Sequence, residues 1–123
     1  MTRRTALLVA AAPLVSAQAP DAARKAADKW LALLDAGNYK EAYKQSARQI
    51  RENATEQEWS AQMHAVRDAA GAAGQRALTA AKPAGENVVF EFSTAFANKP
   101  KAVETLMMSR EGGSWKAGGY FLR

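Results

Sequence analysis

No cysteine occurs in the 123 residues. That absence excludes disulfides, thiolate metal sites, a cysteine nucleophile and a lipid-modified cysteine anchor. Histidine occurs once, as His64. A lone imidazole has no second histidine for a metal pair, so neither a metal centre nor a cofactor is expected. No glycine-rich phosphate loop, Ser-His-Asp set or nucleophile elbow is present. The apolar run Ala6–Val15 is too short to span a bilayer, which takes roughly 20 apolar residues.

That run instead reads as the centre of an export signal. Arg3 and Arg4 precede it, and the small residues Val15-Ser16-Ala17-Gln18-Ala19-Pro20 follow it. Cleavage after Ala17 is expected, because cleavage after Ala19 would leave Pro20 just beyond the cut. The expected organisation is a signal peptide over 1–17 and a single domain over 18–123, placed in the periplasm or secreted. The alternative, a buried first helix, is opposed by Pro13 and by the lack of a polar face. Removing residues 1–17 takes away two arginines and no acid, so the charge falls from +5 to +3 over 106 residues. This is small for a nucleic-acid binder, and no nucleic-acid partner is expected.

Val88–Phe96 organises the rest. It alternates strictly, with Val88, Phe90, Phe92, Thr94 and Phe96 on one face and Val89, Glu91, Ser93 and Ala95 on the other. Period two with phenylalanines on one side predicts a strand with one face in a core. Before it, Ala23, Ala27, Trp30 and Leu34 recur at helical spacing, with Asp21 as the expected N-cap and Gly37 just past the end. Asn38 is placed to cap a second, shorter helix with Tyr39, Ala42, Tyr43, Ser46 and Ile50 on its apolar face. Thr55 and Glu58 match a capping box before Trp59, Met63, Val66 and Ala70, predicting a third helix from Glu56 to about Ala70. After Gly71 and Gly74 the period becomes two. Strands are expected over Arg76–Lys82, Val88–Phe96, Ala102–Arg110 and Trp115–Leu122, separated by turns. Leu106, Met107 and Met108 are consecutive, which predicts cover on both faces of the third strand. Gly118-Gly119 predicts a bulge or a close backbone approach. The fold class is therefore α+β, three N-terminal helices packed on a four-stranded antiparallel sheet.

Several features resemble a known family. They are Trp30 with Leu34-Asp35, Gly37 and Tyr39, then Trp59 and Arg76, Phe92–Phe96, Glu104-Thr105, and Gly113–Phe121. In this order they are similar to small exported bacterial proteins grouped as domain of unknown function four-zero-one-nine. The order of elements resembles the cone-shaped nuclear-transport-factor-two-like fold, related to the cystatin class, in which the sheet is curved. The likeness runs from about Ala23 to Arg123, and Tyr43 stands where many relatives are expected to carry tryptophan. It implies export and a fold, and supplies no reaction, cofactor or catalytic residue.

Each candidate site has a structural reading beside the functional one. His64, next to Met63, reads as a half-exposed structural histidine rather than a base or ligand. Arg76 and Glu104 lie on different strands and form a cross-strand ion pair or, functionally, an anion site or an acid. Asp28, Asp35 and Glu91 are the other carboxylates near core elements, yet no acid lies on the aromatic face of Val88–Phe96, where a buried base would be useful. Lys40, Lys44, Arg48 and Arg51 make a basic stripe, either solvated or facing an anionic surface.

Three readings follow. The first is a non-enzymatic binding or accessory module whose helices leave an aromatic-lined cone. Trp30, Tyr43, Trp59, Phe90, Phe92 and Tyr120 would hold a small apolar ligand there, or support a protein partner. The second is an enzyme of the same fold, using Glu104 with Tyr120 for proton transfer. It requires Glu104 to be neither facing solvent nor locked to Arg76. The third is a homodimer through the sheet, motivated by Leu106 and Met108.

Overall fold

The computed structural model describes residues 20–123, so the expected signal peptide over 1–17 lies outside the described residues. Helix α1 (Asp21–Asp35) follows an extended Pro20. Asp21 is not its N-cap: it lies in the first turn, where its charge still faces the positive end of the helix. Ala23, Ala27, Trp30, Leu31 and Leu34 form the buried face. Gly37, at φ +76°, ends the helix. There the Gly37 and Asn38 amides donate to the Leu34 and Leu33 carbonyls at 2.9 and 2.8 Å.

The expected second helix is two helices, α2 (Tyr39–Lys44) and α3 (Arg48–Asn53). The cause lies at Ser46 and Ala47. Ser46 forms a parallel bridge with Ala117, and the Ala47 amide donates to the Ala117 carbonyl at 2.7 Å. Ser46 is fully buried, and its hydroxyl donates to the Ala42 carbonyl and accepts from the Trp30 indole. Backbone recruited to a sheet edge cannot also continue a helix. Helix α4 (Glu56–Ala70) opens with the expected capping box between Thr55 and Glu58. Its buried row is Trp59, Met63, Arg67 and Ala70, whereas Val66, expected on that row, is 37% exposed.

The strands are β1 (Ala73–Ala84), β2 (Asn87–Phe96), β3 (Lys99–Glu111) and β4 (Ser114–Leu122), antiparallel in the order β1-β2-β3-β4. The predicted alternation of β2 is found: Val88, Phe90, Phe92, Thr94 and Phe96 are all buried. Phe90 pairs with Leu106, and Phe92 with Glu104, which sets the register of the covered face. Between Met107 and Met108 the register with β4 slips by one residue at Gly118, the bulge expected there. A Cβ at Gly118 would meet the Ser109 hydroxyl at 2.8 Å and the Met107 methyl at 3.1 Å, so a larger residue there forces those side chains to shift.

The core lies between helices and sheet. Leu106 and Met108 belong to it, at 0% and 1% exposure. Cover on both faces of β3 is not found. Val89, Val103, Thr105 and Met107 share the opposite face, half-buried, beside Phe121 at 69% exposure. Helix α3 packs beside β4 and bonds to the end of β3, through Gln49 to Ser109 and Arg51 to Glu111.

Candidate functional site

The expected pair of Arg76 and Glu104 is the centre of a longer chain of charges. Glu104 sits on β3 opposite Phe92 and is fully buried. One carboxyl oxygen accepts from Arg76 Nε at 2.7 Å and from Thr94 Oγ1 at 2.6 Å. The other accepts from the Tyr120 hydroxyl at 2.5 Å and from Arg76 Nη2 at 3.3 Å. Arg76 belongs to β1, two strands from Glu104, and reaches it across Thr94, its own partner on β2. The rest of its guanidinium grips Asp35, the last residue of α1, at 2.8 and 3.0 Å. Asp35 also accepts from Arg67 Nη2 of α4 at 2.6 Å.

Two arginines and two carboxyl groups, with Thr94 and Tyr120, thus tie the C-terminal ends of α1 and α4 to all four strands. The formal charge of the set cancels, which a buried cluster requires. Arg67 is 5% exposed, with its guanidinium 4.9 Å from the centre of the Phe96 ring. Its Nε and Nη1 have no hydrogen-bond partner among the described residues, and the ring face adds to the compensation that Asp35 gives through Nη2.

The environment sets the protonation states. Burial pushes the Asp35 carboxyl up, but hydrogen bonds and charge from Arg76 and Arg67 outweigh it and hold the group below its ordinary value. Burial, then the adjacent Glu104 carboxyl, raise the Tyr120 phenol far above its ordinary range. Burial would lower Arg76, yet its bonds to Asp35 and Glu104 raise it instead. Around Glu104 the donors and acceptors form a closed set, from Arg76, Thr94 and Tyr120. The proton-transfer reading needed Glu104 near a tyrosine, which it is, and free of Arg76, which it is not.

The six aromatic residues expected to line a cone contact one another. Trp30 lies 5.9 Å from Trp59 and 5.5 Å from Tyr120, Tyr43 lies 5.9 Å from Trp59, and Phe90 lies 6.3 Å from Phe92. Trp30 donates to the Ala42 carbonyl at 2.9 Å, and Tyr43 to the Ala54 carbonyl at 2.6 Å. Both thereby fasten the α2–α3 segment. Trp30 borders a cleft of about 150 Å³ beside Trp115. A wider cleft of about 380 Å³ lies at the ends of α1 and α4, between Asp35, Tyr39 and Arg67.

The remaining candidates lie apart. The His64 side chain is 60% exposed, 3.5 Å from Asp68, with its ring against Tyr39. Asp28 pairs with Arg24 at the surface, and Glu91 lies on the open face opposite Thr105. The basic stripe is divided by the break at Ser46, and Arg51 is taken by Glu111 at 2.8 Å. Among the described residues no group of three or more His, Cys, Asp or Glu is placed to hold a metal. No described helix is long and apolar enough to cross a membrane.

Sequence reasoning missed Arg67. Its signal was spacing: it stands four residues after Met63 and eight after Trp59, inside the buried row. The acid missing from the aromatic face also has an explanation, since Glu104 reaches that face from the neighbouring strand.

A search of curated proteins gives no match. A family model described as "Protein of unknown function (DUF4019)" matches residues 26–120, which include Trp30, Asp35, Arg67, Arg76, Glu104 and Tyr120. With most of its length matched, this α+β chain belongs to that family.

Proposed function

We propose that this domain is a non-enzymatic binding or accessory module, exported from the cytoplasm, that meets a protein partner through the open face of its sheet. The observation that carries the reading is that face. Phe121 is 69% exposed there, beside half-buried Val89, Val103 and Met107. Soluble chains rarely leave a clustered apolar surface without use. The partner proposed is a second copy. Glu91 lies near the middle of the face and exposed Lys82 and Lys101 toward its margins, none of them ion-paired among the described residues. A two-fold arrangement would set unlike charges opposite each other. Leu106 and Met108, the residues first expected at such an interface, lie on the covered face, so Met107 and Phe121 take their place.

The mutual packing of the six aromatic rings favours a protein partner over a small apolar ligand held among them. The alternative, an enzyme using Glu104 and Tyr120, draws support from their 2.5 Å contact, but Arg76 occupies the same carboxyl group. Bulges in the sheet support the cone-like curvature implied by the resemblance. Export rests on Arg3, Arg4 and the run Ala6–Val15.

Light scattering at micromolar concentration tests the interface. A dimeric mass is expected, converted to a monomer by Phe121→Asp with the circular dichroism unchanged. A monomeric wild type would discard this partner. For export, mass spectrometry of the periplasmic protein should show a chain beginning at Gln18, and retention of Met1 there would refute cleavage.

A further inference from the structure

On the open face of the sheet, residues meet across the strands in levels. Glu91 of β2 stands opposite Thr105 of β3, and Thr105 stands opposite Phe121 of β4. Ser93 and Val103 form the next level on the same face. Lys101 follows, turned to that face because its neighbour Ala102 is fully buried on the other. Glu91 and Lys101 therefore flank the Ser93–Val103 level, one level to each side.

Neither charge is met within the chain. Among the described residues, neither Glu91 nor Lys101 forms an ion pair. The levels that hold them are four residues of β3 apart, from Thr105 to Lys101, about 13 Å along the strand. The rest of the face narrows the choice of axis. At its far end Gln49 of α3 lies against Ser109 and close to Gly118, so the free part is the one with Glu91, Val103, Lys101 and the exposed Phe121. Lys82, the other exposed cation considered above, belongs to the edge strand β1, opposite Val89. An axis between Glu91 and Lys82 would overlap only the β1 side of two sheets. Phe121, two strands from Glu91, would then stay in water.

Given the dimer proposed above, we infer that its two-fold axis crosses the strands at Ser93 and Val103, so that Glu91 of each copy pairs with the partner's Lys101. The rotation exchanges the level of Glu91 with that of Lys101. One unmatched acid and one unmatched base per chain become two equivalent ion pairs. Ser93 and Val103 of the two copies face each other at the axis, where short side chains let the sheets approach. The longer Glu91 and Lys101 span the gap of about 10 Å between packed sheets. Each Phe121 is brought toward the partner's Arg123, a cation for its ring face. The two pairs select a second copy of this chain, because a partner without an acid and a base at that spacing leaves both charges covered and unmatched.

Glu91→Lys and Lys101→Glu test the pairing by light scattering of the exported protein, with circular dichroism to confirm the fold. Each reversal alone sets two like-charged pairs in the interface and should weaken the dimer by about tenfold or more. An equimolar mixture of the two variants restores both pairs and should recover a dimeric mass that neither gives alone. The chain has no cysteine, so a single introduced thiol reports the axis. Val103→Cys should oxidise to a covalent dimer, and Lys82→Cys should remain single chains. Tight dimers from both reversals, no recovery in the mixture, or cross-linking at position 82 instead of 103 would overturn this axis and leave the sheet-face dimer standing. A monomeric wild type would overturn both.

Discussion

Glu104 shows how much one residue depends on its neighbours. It accepts from Arg76, Thr94 and Tyr120 while fully removed from water. Glu104→Gln turns part of an acceptor into an amide facing those donors, and leaves Arg76 with Asp35 alone. A loss of about 3–5 kcal/mol is expected, the size for breaking a buried pair from one side. Tyr120→Phe removes one bond to a charged group and should cost less, about 1.5–3 kcal/mol. Urea denaturation of the two variants checks the order, and equal losses would show that Arg76 contributes little. Of this cluster, Arg76 and Glu104 were legible as a pair on separate strands. Their link to α1 and α4 was not. An arginine in an apolar row reads as surface unless its exact phase is followed, and Arg67 compensates part of its burial with the Phe96 ring, a contact no spacing rule supplies.

Elements were more legible than their joints. The alternation in Val88–Phe96 and the Thr55–Glu58 capping box specify local structure directly, and both are present. Asp21 and Ser46 were misread for a common reason: each fits a local rule that a neighbour overrides. Pro20 starts α1 without a side-chain cap, and the β4 edge takes Ser46 and Ala47 out of the helix. The same strand contains a close approach, at Gly118. Gly118→Ala should destabilise by about 1–3 kcal/mol, because its methyl group overlaps the Ser109 hydroxyl. The overlap predicts a partial rescue. In a Ser109→Ala background the same change should cost less, since the clashing oxygen is gone. Thermal melts of the four proteins measure the coupling, and additive losses would locate the strain elsewhere, such as at Met107 or Gln49.

For the whole molecule, the cluster that joins helices to sheet makes stability depend on pH at both extremes. The folded Asp35 carboxyl lies below its ordinary value of 3.8. Its contribution is therefore complete above that value and is lost as acid protonates it in the folded state. Tyr120 and Tyr39 act in the opposite sense. Both phenols are raised above their ordinary value of 10.0, chiefly by burial. Above about pH 10 the unfolded chain releases these protons while the folded chain retains them, so stability falls as pH rises further. Urea midpoints across the pH range should show a plateau with a decline on each side. Asp35→Asn should flatten the acid decline and lower the plateau. Tyr120→Phe should flatten the alkaline decline, leaving the part due to Tyr39, without changing the acid one. An alkaline decline as steep in Tyr120→Phe as in the wild type would mean that the phenol is not held protonated by the fold, and the closed cluster would then have to be open to water at Tyr120.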